Sequence, residues 1–166
     1  MAQRRARDPA RPRLGDRARA RQAPRSAAAV LTPDDARELA RSQHHAVLAT
    51  FRRDGRPQLS PVTVGVDDIG RIEISTRETA MKVKNLRRDP RIALCLLHDR
   101  FYGEWGQVEG TAEIVERPEA IGLLVDYYRR ISGEHPDWDD YRAAMEREQR
   151  VLVRFEIERA GPTVAG

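Results

Sequence analysis

Two hydroxyl residues, Ser75 and Thr76, stand shortly ahead of a lysine, Lys82, in the segment Ile74-Ser75-Thr76-Arg77-Glu78-Thr79-Ala80-Met81-Lys82-Val83-Lys84-Asn85-Leu86-Arg87-Arg88-Asp89-Pro90. Residues 71–76 alternate polar and apolar side chains, as a half-buried strand does. Residues 78–88 read as a short helix with Met81, Val83 and Leu86 as its apolar members, stopped by Asp89-Pro90. The hydroxyls then fall at a strand end and Lys82 in the first helical turns. Hydroxyls, free backbone N–H groups and a nearby ammonium together make an anion site. A surface turn with a solvated lysine fits the same residues. The chain holds 28 Arg and 2 Lys, Lys82 and Lys84, so a lysine here stands out from an arginine background. A lysine is a compact point charge, not a planar fork.

No other constellation for chemistry is visible. His44 and His45 are adjacent, so a helix or a strand points them apart; His98 and His135 stand alone. Each reads as a surface or loop residue. No Cys/His spacing suits a structural metal, and no phosphate-binding or nucleophile-elbow motif is present. If the chain is an enzyme, a cofactor carries the hard chemistry. The single cysteine, Cys95, lies in an apolar run and reads as a small buried hydrophobe. A disulfide framework is excluded, which fits a reducing, cytoplasmic setting. No apolar stretch approaches the length of a membrane span.

The elements that must position residues 75–82 follow from the patterning. The net charge of +4 divides unevenly. Residues 1–30 hold nine Arg and two Asp and lack an apolar period, so they read as a disordered tail. A nucleic-acid-binding arm is the alternative, but no aromatic residue is interleaved for base stacking. Residues 31–166 form the expected ordered domain, which is mildly acidic. Thr32-Pro33-Asp34-Asp35 is a helix start, with Thr32 as N-cap, running to about Ser42. Strands are expected at 46–51 and 58–66, joined by an Asp54-Gly55 hairpin turn, with Pro61 marking an edge or bulge. Residues 91–97 read as a strand buried on both faces. Residues 104–116 read as one long strand bent at Gly106 or Gly110. Two helices follow. The first has Pro118 in its first turn and Ile121, Leu124, Val125 and Tyr128 on its apolar face, and the second covers 138–149. On these helices Trp138 and Tyr141 read as packing residues. A last strand, 151–157, points Val151, Val153, Phe155 and Ile157 inward. Six antiparallel strands with glycine-marked bends give a mainly β fold, a small closed β-barrel with helices.

The Ser-Thr…Lys-x-x-Asn-Leu-Arg-Arg-Asp-Pro-Arg pattern at 75–91 resembles the pyridoxamine-phosphate-oxidase-like split β-barrel proteins, and especially their coenzyme F420-dependent branch. The likeness extends through Val47-Leu48-Ala49-Thr50, residues 54–62, Val108-Glu109-Gly110-Thr111-Ala112-Glu113-Ile114-Val115 and residues 128–142, covering most of 31–158. It implies a six-stranded antiparallel split β-barrel of the FMN-binding type, homodimeric, with the site between subunits. By that resemblance Lys82 holds a cofactor phosphate, with Ser75 and Thr76 beside it. Pro61, Val62 and Thr63 line the ring system, and Trp105 and Gln107 are supplied by the partner subunit. Relatives often carry an Arg where this chain has Ala80 or Met81, so either the phosphate grip is weaker here or Arg77 or Lys84 substitutes. The implied activity is hydride transfer from reduced F420 to an unsaturated small molecule. FMN-dependent oxidase or reductase chemistry and non-catalytic cofactor or tetrapyrrole binding are the alternatives.

Overall fold

The computed structural model describes residues 31–162; the Arg-rich segment 1–30 and residues 163–166 lie outside the described residues. The elements run α1 (Pro33–Ser42), β1 (His45–Phe51), β2 (Pro57–Thr63), β3 (Gly65–Val66), β4 (Ile72–Arg77), α2 (Met81–Arg88), β5 (Arg91–Leu97), β6 (Trp105–Thr111), β7 (Glu113–Val115), α3 (Glu119–Ser132), α4 (Trp138–Arg147), β8 (Arg150–Phe155) and β9 (Arg159–Ala160). Among the described residues no helix is long and apolar enough to cross a membrane.

The strands form two antiparallel sheets, β2-β1-β5-β6-β9 and β3-β4-β8-β7. Two of the six strands expected from the sequence are broken and a third ends early, and each break carries the chain from one sheet to the other. The 58–66 run breaks at Val64 into β2 and β3, the 104–116 run breaks at Ala112 into β6 and β7, and the last run ends as β8 at Phe155, from which the chain crosses to β9 beyond the expected strand end at 157. Strands that switch sheets make the corners of such packings. Gly110 sits at one corner, where a Cβ would lie 2.6 Å from the Phe155 ring and inside contact distance of the Glu156 carbonyl oxygen. Only glycine fits there without a backbone shift.

The space between the sheets is filled by the inward residues of both. Leu48, Leu94, Leu96 and Val108 of the five-stranded sheet meet Ile72, Ile74, Val153 and Phe155 of the other. Helix α1 closes this core with Ala36, Leu39 and Ala40. Its entry is fixed by a reciprocal cap. The Thr32 hydroxyl accepts from the Asp35 N–H, and the Asp35 carboxylate accepts from the Thr32 N–H at 3.0 Å. Helices α3 and α4 cover the outer face of the four-stranded sheet, where Leu152 and Val115 join Leu124, Val125, Tyr127, Tyr141 and Met145. Leu152 therefore is buried on the face opposite Val151 and Val153, and burial on both faces belongs to β8.

Three expectations change. Strand β5 buries only one face: Ile92, Leu94 and Leu96 point inward, while Ala93, Cys95 and Leu97 are half-exposed because no element among the described residues covers them. Cys95 is thus half-exposed, not buried. Helix α2 starts at Met81, not Glu78, because the Glu78 N–H continues the β4–β8 ladder by donating to the Gln149 carbonyl at 2.8 Å. On α3 the buried tyrosine is Tyr127, with Tyr128 half-buried beside it.

Candidate functional site

An open cleft of about 720 Å³ lies where β2, β4, the α2 entry, α3 and α4 converge. It brings together seven of the residues singled out from sequence: Pro61, Val62, Thr63, Ser75, Thr76, Ala80 and Lys82. Strand β2 supplies the first three, β4 the hydroxyl pair, and the N-cap and first turn of α2 the last two. Met81, Trp105 and Gln107 do not line it. Met81 is 54% exposed. Trp105 and Gln107 lie on β6 opposite Leu97 and Cys95, on the outer face of the five-stranded sheet.

Helix α2 presents an unusual first turn. Its N-cap is Ala80, whose side chain has no oxygen to accept from the helix N–H groups. The early N–H donors of α2 are left without a side-chain cap, which concentrates positive potential at the cleft wall. Lys82 stands in that first turn, half-buried, with no carboxylate within ion-pair distance among the described residues. Burial first, and then the Arg150 guanidinium, hold its ammonium pKa below the usual lysine range. The position of α2 is set from below by Asn85, which is buried and donates to Thr50 Oγ1 at 3.1 Å and Gln58 Oε1 at 2.9 Å. Arg88 donates to the Asn85 side-chain Oδ1 at 3.2 Å and to the Phe51 backbone carbonyl. Asn85 is three residues past Lys82, so one buried amide ties the anion-facing turn to β1 and β2.

Sequence reasoning missed several residues of the cleft: His45, Tyr127, Ile131, Met145 and Arg150. Tyr127 donates to the Thr63 carbonyl at 2.9 Å and so fixes α3 against β2; burial pushes its phenol pKa up. Tyr128 and Tyr141 also line the cleft, and Tyr128 packs edge-on against Tyr141, Trp138 and His135. Tyr141 is therefore both a packing residue and a wall of the cleft; Trp138 packs behind it. Arg150 pairs across the ladder with Arg77, which also lines the cleft. The alternation of β8 carried the signal for Arg150: Val151, Val153 and Phe155 point inward, so Arg150 and Leu152 belong to the other face. Lys84, the other expected substitute for the missing arginine, is exposed and does not line the cleft. Of the two histidines thought to point apart, His45 lines this cleft and His44 a separate one of about 400 Å³.

The arrangement suits an elongated ligand with an anionic end. Cations and backbone donors gather at the α2 entry, and aromatic and apolar side chains extend away from it. Among the described residues no group of His, Cys, Asp or Glu is placed to hold a metal ion.

Comparison with known proteins bears on the family and the fold. A conserved hypothetical protein, Rv2991, from Mycobacterium tuberculosis is 31% identical, with a TM-score of 0.66 over 83% of this chain and 88% of that one. A structure described as an F420 reductase matches at 21% identity and a TM-score of 0.58, over 75% of this chain and 94% of that one. HutZ from Vibrio cholerae, described as a heme storage protein, matches at 17% identity and a TM-score of 0.61, over 83% and 98%. The last two show likeness of fold. Residues 32–163 match the family described as pyridoxamine 5'-phosphate oxidase, over nearly the whole of the described structure. The chain belongs to the pyridoxamine 5'-phosphate oxidase-like split-barrel family.

Proposed function

We propose that this protein is an oxidoreductase that binds a phosphate-bearing flavin-type cofactor in the cleft at α2, with coenzyme F420 preferred and FMN the alternative. One observation carries the reading: an anion seat without an anion of its own. The α2 N-terminus has no side-chain cap, and Lys82 beside it has no carboxylate partner among the described residues. A desolvated, unpaired ammonium is costly, and a bound phosphate would offset that cost. When bound, the reduced deazaflavin would supply a hydride for an unsaturated acceptor. The chain's part is to hold and orient. Lys82, the α2 N–H groups and the Ser75 and Thr76 hydroxyls would take the phosphate, Pro61, Val62 and Thr63 would flank the ring, and the tyrosine wall would exclude water.

The preference for F420 rests on the likeness of residues 75–91 to that branch. Titrating the purified protein with F420 and with FMN, followed by visible absorbance, tests it. A tight FMN complex with no F420 binding moves the assignment to FMN. Turnover of an acceptor panel with the reduced cofactor tests the redox role; tight binding without turnover makes the protein a carrier. A tetrapyrrole-binding role is favoured by one feature, His45, whose exposed imidazole lines the cleft with Asp99 3.0 Å from Nδ1. A Soret shift on hemin addition that is lost in His45→Ala would support it.

We further propose a homodimer built on the outer face of the five-stranded sheet. Val47, Ala49, Ala93, Cys95 and Leu97 form a half-exposed apolar surface, continuous through the β1–β2 register with Pro61 and Thr63 at the cleft. Trp105 and Gln107 share that face and are remote from their own cleft, which suits delivery to the site of a second copy. Sedimentation of the full chain tests this, with Ala93→Glu expected to yield monomers.

A further inference from the structure

We infer that Arg150 is the second cation of the anion seat and that Glu148 acts as its stand-in counterion. This rests on the reading of the cleft as a phosphate-binding site.

Strand β8 begins at Arg150, directly across the ladder from Arg77, the last residue of β4. Like charges placed opposite each other on neighbouring strands repel. Both guanidinium groups relieve that repulsion through one carboxylate. Arg150 donates from Nε at 2.9 Å and from Nη2 at 2.8 Å to the same Glu148 oxygen, and Arg77 reaches it at 3.3 Å. Hydrogen bonds from Arg150, and then its charge, hold the Glu148 carboxyl below the usual range. Lys82 lines the same cleft as Arg77 and Arg150, and the Arg150 charge adds to burial in disfavouring its ammonium. Two arginines thus share one carboxylate at the mouth of the α2 entry, and Lys82 beside them has none among the described residues. The surplus positive charge matches a phosphate group.

Glu148 is three-eighths exposed and sits on the turn after α4, so it can release Arg150 to solvent-side partners. A phosphate bound at Lys82 and the α2 N–H groups competes with Glu148 for Arg150. Arg150 then occupies the role left empty by Ala80 and Met81, arriving from the far end of the chain. This makes an unusual sign prediction: removing the Glu148 charge strengthens phosphate binding, although it removes a salt bridge.

The test compares ligand pairs that differ in the phosphate alone: FMN with riboflavin, and 5-deaza-FMN with 5-deazariboflavin. Arg150→Gln is expected to weaken the phosphate-bearing ligand about tenfold or more, as for a lost charge-assisted contact, and to leave the phosphate-free one unchanged. Glu148→Gln is expected to tighten only the phosphate-bearing ligand, by roughly threefold or more. Equal effects on both members of a pair, or weakening by Glu148→Gln, overturn the assignment. On the unmutated protein, an inorganic phosphate titration read at the Arg150 Nε–H resonance is expected to shift that resonance; no shift overturns the assignment without reference to any variant. A phosphate-dependent shift with no binding of flavin or deazaflavin would sink the cofactor reading and leave the Arg150 assignment standing. Cofactor binding indifferent to Arg150 would do the reverse.

Discussion

Replacing Lys82 by methionine separates what the ammonium does for ligand binding from what it does for the fold. Methionine keeps most of the stem that packs beside the cleft and removes the charge. The ammonium has no carboxylate partner among the described residues, so the substitution strands no ion-pair partner. The expected loss is that of a charge-assisted contact to phosphate, about 1.5–3 kcal/mol. At about 1.4 kcal/mol per decade, this weakens the cofactor by roughly 10- to 150-fold. The fold should respond in the opposite sense. Burial and Arg150 lower the Lys82 pKa in the folded chain, so the ammonium is less comfortable folded than unfolded. The unfolded chain then binds more protons, and wild-type stability rises as pH climbs from the lowered folded value toward the ordinary lysine value. Lys82→Met should lack that rise and melt no lower than the wild type near neutral pH without ligand. Calorimetric titration with FMN or F420 and thermal melts across pH measure both. A dissociation constant within about threefold of wild type, or an equal loss for a phosphate-free analogue, would refute the anion-seat reasoning.

Three further outcomes are expected. Asn85→Ala removes a buried amide that serves Thr50, Gln58 and Arg88; denaturant titration should show a loss of about 2–3 kcal/mol, with weakened ligand binding as α2 loosens. Gly110→Ala should cost roughly 2–4 kcal/mol, because the Phe155 ring and the Glu156 carbonyl already occupy the space of a Cβ; a melt unchanged from wild type would contradict the sheet-switching corner. Glu73 is almost fully buried on β4, and burial pushes its carboxyl pKa up to about 7 against the pull of Arg130 at 2.8 Å. Its folded value lies above its unfolded one, so its contribution is complete below the ordinary carboxylate range and is lost as pH rises through about 7. Stability should drop by on the order of 2 kcal/mol across that window, and Glu73→Gln should flatten the slope.

Much of the fold was legible because local rules and burial agreed. Thr32 caps α1 as its neighbours demand, and the six apolar runs are all strands. The corners were not legible. A chain that passes from one sheet to another at Val64 keeps its β-compatible side chains, so its pattern reads as one strand. The α2 start was misplaced because a single long-range bond, from the Glu78 N–H to the Gln149 carbonyl, extends the β4–β8 pairing by one residue and residues 78–80 then turn before the helix. At the site, Lys82 and its hydroxyls were visible as a local cluster. Arg150 was not, since it reaches them only through the β4–β8 register. The tyrosine wall was half visible: Leu124 and Val125 are buried on α3 as its helical period requires, but Tyr127 is the buried tyrosine and Tyr128 is half-buried beside it.

The helical pair α3–α4 lies between β7 and β8, two strands that are neighbours in one sheet. Its residues form the aromatic side of the cleft, while the cationic side belongs to β4, α2 and the start of β8. Anchor and wall are therefore supplied by separate segments of the chain. A lineage could exchange the helical hairpin and change which ring system it accepts, while the strands keep gripping the same anionic handle. Such modularity gives a physical route by which one barrel serves chemically different guests.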